Sequence, residues 1–322
     1  MPESATTHRT KHSIVVNAPV DTVYGLIADV EQWPTVFPPT MHSEVVERGE
    51  GTERIRLWAL ANGEVKTWTS RRTLDPVGRS VRFRQEVSQP PVRSMGGAWE
   101  LSPQSDRRTL VVLLHDFQAL GDDPEGVRVI ERAVDHNSRV ELERLRNVAE
   151  LPGEQGELTV SFADTVRIRG RAGDVYRFLY QADRWPDRLP HVARLVLRED
   201  APGIQEMEMD TRSADSETHT TSSVRVCFPE HRIVYKQTVL PAVMTVHTGE
   251  WSVEQQGDSV LATSRHTVVL DPEGVAKALG PAVSIAEAKE LAKTALSKNS
   301  RTTLEHARRF AEEAQHGEAR HG

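Results

Sequence analysis

The pattern of apolar and polar positions predicts the same series of elements twice along the chain. In the first half, residues 13–17 alternate weakly as a strand, and the apolar positions of residues 20–27 have helical spacing. Period-two alternation dominates residues 44–117, with polar or glycine-containing turns between the runs. A helical apolar face returns over residues 124–151. We therefore predict a strand, a short helix, an antiparallel meander and a long closing helix.

The second half repeats this order. Residues 158–169 read as a strand, 174–182 as a helix, 194–270 as a series of strands, and 283–315 as a long helix. A short polar segment rich in glycine and proline separates the halves and is typical of a linker. The predicted domains are residues 1–152 and 153–322.

Individual residues repeat at a constant interval as well. Trp33-Pro34 returns as Trp185-Pro186, a spacing of 185 − 33 = 152 residues, and Trp99 matches Trp251 at the same interval. Asn137-Ser138-Arg139 returns near the end as Asn299-Ser300-Arg301. Solenoid repeats have units of roughly 20–50 residues, so this interval indicates a duplicated domain.

Composition narrows the function classes. The 322 residues carry a formal net charge of −7, and no dense run of Lys and Arg stands out, which argues against a nucleic-acid-binding protein. The single cysteine, Cys227, cannot form an internal disulfide. The longest apolar stretch, residues 110–114, is far shorter than a membrane span. We expect a cytoplasmic protein that acts without nucleic acid or membrane.

No cofactor is predicted. The sequence contains no paired-cysteine zinc pattern, no His-Glu-x-x-His, no phosphate-binding glycine loop, no dinucleotide fingerprint and no Gly-x-Ser-x-Gly motif. We therefore expect neither a metal nor an organic cofactor.

Several segments resemble one enzyme family. They are the Trp-Pro phrase of residues 29–38, the Trp-x-Ser-x-Arg strand of residues 66–72, the Met-Gly-Gly segment of residues 95–100 and the helical Asn137-Ser138-Arg139. These resemble the polyketide aromatase/cyclases of the START-like helix-grip superfamily. Because both halves carry the pattern, the chain is similar to the di-domain members of bacterial type II polyketide synthases over roughly residues 10 to 315.

The resemblance implies an α+β fold. Each of the two tandem helix-grip domains would be a curved antiparallel sheet wrapped around a long C-terminal helix, with an internal cavity. Each half would be an aromatase/cyclase domain.

The candidate catalytic residues lie on one predicted strand. Side chains two apart on a strand share a face, so Trp68, Ser70 and Arg72 should point the same way. A guanidinium in a dry pocket stabilises the oxyanion that forms when an enolate attacks a carbonyl. Arg72 is the first candidate for that role and Ser70 the second, as a hydrogen-bond donor or proton carrier. Arg225 and Ser223 take their places in the second half.

Binding candidates are aromatic, thioether or polar residues expected to line the cavity. Each has a structural alternative, because a buried Trp is usually core, a His near a strand end is often structural, and Asn137 is either a ligand contact or a tether to the sheet. The candidates are Trp33, Phe37, Trp68, Met95, Trp99, His115, Asn137, Trp251 and His266.

The function implied by the resemblance is ring formation in aromatic polyketide and antibiotic biosynthesis. The enzyme would fold a ketoreduced poly-β-ketone carried by an acyl carrier protein, close its first ring between C7 and C12 and dehydrate it. Its partners would be that carrier and other synthase components. Two alternatives remain. One is a non-catalytic carrier of a hydrophobic molecule. The other is that one copy is a scaffold that docks the acidic carrier protein, for which a local basic rim such as Arg79, Arg82, Arg84 and Arg93 could serve.

Overall fold

The computed structural model describes residues 5–151, 157–212 and 218–318, with side chains up to residue 315. The chain forms two compact units, Met1–Pro152 and Gly153–Gly322. Each unit has its own sheet and its own long helix.

The first unit follows the predicted order of elements. Its strands are β1 (His8–Val16), β2 (Thr40–Gly49), β3 (Thr52–Ala61), β4 (Glu64–Asp75), β5 (Ser80–Val87), β6 (Val92–Ser105) and β7 (Arg108–Ala119). Its helices are α1 (Val20–Ala28), α2 (Trp33–Val36) and α3 (Pro124–Ala149), with short 3₁₀ turns at Val30–Gln32 and Leu120–Asp122.

The first sheet is an antiparallel meander to which one strand is added. The strand order is β1-β7-β6-β5-β4-β3-β2, so sequential strands pair and β1 joins the last of them. β1 and β2 remain at opposite edges, and the sheet is therefore open.

Helix α3 covers one face of this sheet. Asp123 caps its start by accepting hydrogen bonds from the backbone N–H groups of Glu125 and Gly126. The helix buries a stripe that includes Ile130, Val134 and Leu145, and it packs on β1 and β7. We call the sheet face toward α3 the inner face.

Helices α1 and α2 fill one end of the space between α3 and the sheet. Val23 and Ile27 of α1 are fully buried and join a hydrophobic cluster with Phe37 and Trp99. The Phe37 and Trp99 rings stack with centroids 5.9 Å apart. This end of the first unit is packed with apolar side chains.

The second unit repeats the architecture. Its strands are β8 (Thr159–Arg169), β9 (Val192–Ala201), β10 (Ile204–Arg212), β11 (Thr218–Phe228), β12 (Arg232–Val239), β13 (Met244–Gln256) and β14 (Ser259–Leu270), in the order β8-β14-β13-β12-β11-β10-β9. Its helices are α4 (Ala172–Tyr180), α5 (Trp185–Arg188), α6 (Pro272–Leu279) and α7 (Ile285–Glu318), with a 3₁₀ turn at Ala182–Arg184.

Helix α6 was not predicted. It begins at Pro272 after the capping residue Asp271 and spans 8 residues, of which only Gly274 and Val275 are buried. So short a helix leaves almost no apolar periodicity in the sequence.

Among the described residues, the helices are too short or too polar to cross a membrane.

Gly97 of β6 allows a close approach between strands. A Cβ at this position would overlap the Leu114 carbonyl oxygen and lie 2.7 Å from Cζ of Phe83, whereas a Cβ at Gly25 of α1 would meet nothing within 4 Å. We expect Gly97→Ala to lower the free energy of unfolding by about 3 kcal/mol through overpacking. Gly25→Ala should instead raise it by about 0.5–1 kcal/mol. Urea unfolding of both variants measures the difference, and equal stabilities would contradict the close approach at Gly97.

Candidate active site

A row of side chains crosses six strands on the inner face of the first sheet. From β3 to β1, the strand register aligns Glu53, Arg72, Phe83, Gly97, His115 and Thr10. The next row runs from Ile55 through Ser70 to Gln85. The period-two pattern therefore places Arg72 and Ser70 on the inner face, as the sequence indicated, and leaves Arg71 exposed.

Arg72 is anchored at one end of its guanidinium and open at the other. Nη2 donates a 2.6 Å hydrogen bond to the carbonyl of Ala28, at the end of α1, and lies 3.1 Å from a carboxylate oxygen of Glu53. The guanidinium carbon lies 5.1 Å from the centre of the Trp33 ring. Nε and Nη1 are buried and have no hydrogen-bond partner among the described residues. Two N–H groups are thus available to an oxygen of a bound molecule.

The charge of Arg72 is compensated within the protein. Its side chain is 1% exposed and that of Glu53 is 9% exposed. Burial lowers the pKa of the Arg72 guanidinium, and the Glu53 carboxylate opposes that shift. The guanidinium stays protonated, because arginine does not lose its proton in proteins near neutral pH.

Tyr24 of α1 is a second polar group at this place and was missed as a site residue. Its hydroxyl is buried without a hydrogen-bond partner in the part of the chain that the structure describes. Burial raises the pKa of the phenol, and Arg72 opposes the shift. Val23-Tyr24 has a counterpart in Val175-Tyr176, 152 residues later, but this repeat alone does not indicate which groups surround the phenol.

His115 lies farther along the row, beside Phe83. The two ring centres are 5.5 Å apart in an edge-on arrangement. Nδ1 of His115 is buried and unpartnered within the described ranges. Burial lowers the pKa of this imidazole to about 4, so the ring is neutral at pH 7.

Glu141 of α3 is a carboxyl group inside the apolar stripe of the helix. At 3.6 residues per turn its side chain falls between those of Val134 and Val148, both of which are buried. Burial alone raises the pKa of Glu141 to about 8, so the group is a neutral acid at pH 7. The sequence did carry the signal, since a carboxylate interrupting an apolar helical stripe is unusual.

Asn137 tethers α3 to the sheet. Its side-chain amide donates a 2.9 Å hydrogen bond to the carbonyl of Leu60, at the end of β3. From the other side, the Asn62 amide of the β3–β4 turn donates to the carbonyl of Val129 on α3. Of the two interpretations considered for Asn137, the tether is the contact that is formed.

The second domain has an equivalent row. From β10 to β8 it aligns Gln205, Arg225, Tyr235, Gly249, His266 and Phe162. Nη2 of Arg225 donates 2.6 Å to the carbonyl of Leu179 at the end of α4, and the guanidinium lies 5.3 Å from the Trp185 ring. Ser223 and Thr221 stand on β11 where Ser70 and Trp68 stand on β4. Burial lowers the pKa of Arg225, as it does for Arg72.

Two family models match the chain, and both are described as polyketide cyclase / dehydrase and lipid transport. They match residues 7–150 and 168–296. The granaticin polyketide synthase bifunctional cyclase/dehydratase of Streptomyces violaceoruber is 45% identical over 312 residues, which are 97% of this chain and 96% of that protein. The actinorhodin polyketide synthase bifunctional cyclase/dehydratase of Streptomyces coelicolor is 45% identical and covers 93% of this chain and 96% of its own length.

Solved structures agree. The di-domain ARO/CYC BexL from the BE-7585A biosynthetic pathway superposes with a TM-score of 0.84 and 54% identity, over 95% of this chain and 99% of BexL. The di-domain ARO/CYC StfQ from the steffimycin pathway gives a TM-score of 0.81 and 34% identity over the same shares. The chain belongs to the di-domain polyketide aromatase/cyclases. The predicted α+β fold of two tandem helix-grip domains and the predicted class of enzyme are confirmed.

The predicted binding residues of this aromatase/cyclase fall into two groups. Trp68 and Met95 are partly accessible on the inner face near Ser70 and His115. Phe37, Trp99 and Trp251 lie in the hydrophobic clusters and are 1%, 3% and 7% exposed. There they pack the core, and their contact with substrate stays a prediction.

Trp33 and His266 are engaged by the protein itself. The Trp33 indole donates to the carbonyl of Ile27, 3.2 Å away, and carries the Arg72 guanidinium on its ring. His266 is hydrogen-bonded through both ring nitrogens. Of the four arginines suggested as a docking rim, Arg84 forms two hydrogen bonds with Asp116.

The raised pKa of Glu141 predicts that its contribution to the free energy of unfolding depends on pH. Its pKa of about 8 in the folded state lies above the ordinary 4.5, so between these pH values the folded protein keeps a proton that the unfolded chain loses. The Glu141 contribution to stability therefore falls as pH rises from 4.5 to 8, by at most about 1.4 kcal/mol per pH unit. We expect Glu141→Gln to remove this slope and to be more stable than the wild type at pH 8.

The measurement is the difference in unfolding free energy between variant and wild type across pH 4.5–8. Glu143→Gln, at an exposed position of the same helix, is the matched control and should follow the wild type. A Glu141→Gln curve parallel to the wild type would show that the carboxyl group is ionised in the folded protein.

Proposed function

We propose that the first domain closes the first ring of a ketoreduced poly-β-ketone held by an acyl carrier protein, between C7 and C12, and then dehydrates it to an aromatic ring. One observation carries this: Arg72 is held on the inner face by the Ala28 carbonyl and the Trp33 ring, with Nε and Nη1 unpartnered among the described residues. His115 of β7 and Glu141 of α3, which burial keeps neutral at pH 7, are the proposed base and acid. A neutral base and a neutral acid are the pair that an aldol closure needs at its start.

The proposed substrate class is supported by the names of the relatives and by the polar groups in the interior of the first domain. The similar proteins are named as parts of the granaticin and actinorhodin synthases, which supports work beside other synthase components in the cytoplasm. A poly-β-ketone presents many oxygens, and the first domain holds buried donors and acceptors without partners among the described residues, at Thr10, Tyr24, Arg72, His115 and Ser138. Such groups in folded proteins are usually bonded to protein, ordered water or a ligand, and oxygens of a poly-β-ketone could bond to them.

Ring closure transfers one proton at each end of the new bond. The enol hydroxyl of the chain gives its proton to His115 while the enol carbon attacks the distant carbonyl and forms the carbon–carbon bond. The carbonyl oxygen becomes an alkoxide, which takes the proton of Glu141. His115 is then an imidazolium and Glu141 a carboxylate.

Dehydration restores the starting protonation state of both residues, with protons exchanged at other atoms of the substrate. The imidazolium of His115 protonates the hydroxyl that leaves as water, and the carboxylate of Glu141 removes the proton from the neighbouring carbon. The carbon–oxygen bond breaks, the double bond forms, and both residues return to their neutral states. A positioned acid or base contributes roughly 10²–10⁴-fold to such a step.

Arg72 stabilises the negative charge that develops on the enol oxygen as it loses its proton and on the alkoxide oxygen that forms after the attack. Its free Nε and Nη1 point from a guanidinium that Ala28 and Trp33 hold in place, so no reorganisation is needed when the charge develops. Ser70, 2% exposed in the adjacent row, supplies a hydroxyl to the same oxygen or to a water that carries the proton. Trp68 and Met95 give the chain flat and adaptable walls.

The second domain lacks one member of this set. Thr303 follows Asn299-Ser300 at the place that Glu141 occupies after Asn137-Ser138. Arg225 and Ser223 therefore keep an electrostatic role toward a bound chain or product, and the acid and base steps belong to the first domain.

The experiment is reconstitution with a minimal synthase and a ketoreductase, with product analysis. The wild type should give the aromatised product, and Glu141→Gln should lower its rate by roughly 10²-fold or more, because the amide cannot donate or remove a proton. Thr303→Val, at the equivalent position of the second domain, is the control. The same shunt products with and without the wild-type protein would favour a non-catalytic carrier.

A second comparison distinguishes the roles of Arg72 and Arg225. Arg72→Gln should reduce aromatised product by roughly 10²-fold, the size of one lost oxyanion donor, whereas Arg225→Gln should leave the first-ring product unchanged in identity. Thermal unfolding checks that both variants fold. Identical product profiles from the two variants would contradict the assignment of ring closure to the first domain.

A further inference from the structure

The two domains differ in the residue that lies opposite the buried arginine in the sheet. In the first domain the strand register pairs Arg72 with Glu53, and a carboxylate oxygen of Glu53 lies 3.1 Å from the guanidinium. In the second domain the register pairs Arg225 with Gln205, whose amide carries no charge. The first arginine therefore belongs to a buried ion pair, whereas the second lies opposite a neutral side chain.

The guanidinium of Arg225 keeps an N–H group without a partner. The residue is 1% exposed, and its Nη2 donates to the carbonyl of Leu179. Nη1 is buried and makes no hydrogen bond within the part of the chain that the structure describes. A buried cation with an open donor is a place where an anion is stabilised.

The ionisable groups around Arg225 supply little negative charge. Those that act on it electrostatically are Cys227, Tyr176, Glu199 and Tyr180. Burial raises the pKa of the Cys227 thiol to about 11 and that of the Tyr180 phenol to about 12, and it raises the pKa of the Tyr176 phenol as well. These three groups are uncharged at pH 7, which leaves the carboxylate of Glu199.

Glu199 is exposed, and other donors hold its carboxylate. It accepts hydrogen bonds from the Tyr180 hydroxyl at 2.5 Å, from the backbone N–H of Gly203 at 2.8 Å and from the Gln205 amide at 2.8 Å. Because the amide nitrogen of Gln205 donates to this carboxylate, its oxygen is left as an acceptor. That oxygen is buried and has no partner among the described residues.

Partly accessible apolar side chains share the inner face with Gln205. Met207 and Met209 follow it at two-residue intervals on β10, and the register places Leu197 and Leu195 beside them on β9. Thioether side chains adapt to the shape of a bound molecule. An apolar framework can therefore lie on this face while its polar groups reach the amide and the guanidinium.

We propose that the second domain binds an apolar molecule that carries a carboxylate with a hydroxyl group beside it. The carboxylate accepts from Nη1 of Arg225, and the hydroxyl donates to Oε1 of Gln205. Directly opposite residues on neighbouring strands have Cβ atoms only about 4.5–5.5 Å apart, so adjacent groups of one ligand can reach both. The first domain instead selects uncharged oxygens, because Glu53 already neutralises Arg72.

This inference rests on the electrostatic role proposed above for Arg225, and a binding measurement tests it without turnover. Salicylate carries the required carboxylate and hydroxyl on one ring, and salicylamide is its uncharged match. In calorimetric titrations of the full-length protein at pH 7, salicylate should bind roughly 10–100-fold more tightly, the effect of a hydrogen bond to a charged group. Equal affinity for the two probes, or no binding of salicylate, would overturn the proposal.

Gln205→Glu tests the cause of the preference. It places a carboxylate opposite Arg225, as in the first domain, and should reduce salicylate affinity to that of salicylamide. Glu53→Gln is the reciprocal change, which removes the carboxylate from Arg72 and should create a second salicylate site. A Gln205→Glu protein that keeps the wild-type preference for salicylate would refute the assignment.

Arg225→Gln and Arg72→Gln locate the site. The first variant should lose the salicylate preference and the second should keep it, with thermal unfolding as the check that both are folded. The opposite result would place the anion site in the first domain and sink this inference. Product formation by the reconstituted synthase tests the proposed function separately, so either can fail while the other stands.

Discussion

The structure of each domain depends on a buried arginine that joins a strand to the end of a helix. Arg72 in one domain and Arg225 in the other donate 2.6 Å hydrogen bonds to the last carbonyls of the short first helix. Helix C-termini carry partial negative charge, so a guanidinium is stabilised there. In both domains the same guanidinium lies over the Trp of the Trp-Pro phrase. The arginine thus fixes the strand, the helix and the turn that follows, and it orients its own remaining N–H groups.

The two domains differ in the hydrogen-bond partners of their other buried polar side chains. In the second domain, Gln205 donates to Glu199 and both ring nitrogens of His266 are hydrogen-bonded, whereas Nη1 of Arg225 and Oε1 of Gln205 have no partner among the described residues. In the first, the arginine faces a carboxylate, and His115 has a free Nδ1 among the described residues. A buried polar atom without a partner costs about 1–3 kcal/mol, a cost that a bound ligand can remove. Within the described residues, both domains therefore keep unpartnered polar atoms on the buried arginine, and the row histidine differs: Nδ1 of His115 lacks a partner, whereas His266 is hydrogen-bonded.

The sequence predicted most of the fold because its signals are local. The period-two alternation of residues 44–117 predicted the meander that the structure forms from β2 to β7, and the apolar stripe of residues 124–151 predicted α3. The same alternation placed Arg72 and Ser70 on the inner face. Helix α6 was lost because its 8 residues bury too little to leave a pattern. The family resemblance supplied the class of enzyme, and relatives bear it out.

The features that the sequence analysis missed depend on contacts between residues that lie far apart along the chain. Glu141 looks like an ordinary helical residue in the sequence, and only burial in the folded domain raises the pKa of its carboxyl group to about 8. Nδ1 of His115 has no partner among the described residues, and the ring meets the apolar Phe83, which lies on a strand distant along the chain. Duplication of the domain makes the comparison possible: the same backbone carries one histidine that is hydrogen-bonded through both ring nitrogens and one whose Nδ1 has no partner within the described residues. Since the arginine contacts are common to both domains, they account for the shared packing of strand, helix and turn, and the differences in chemistry have to come from the residues around them.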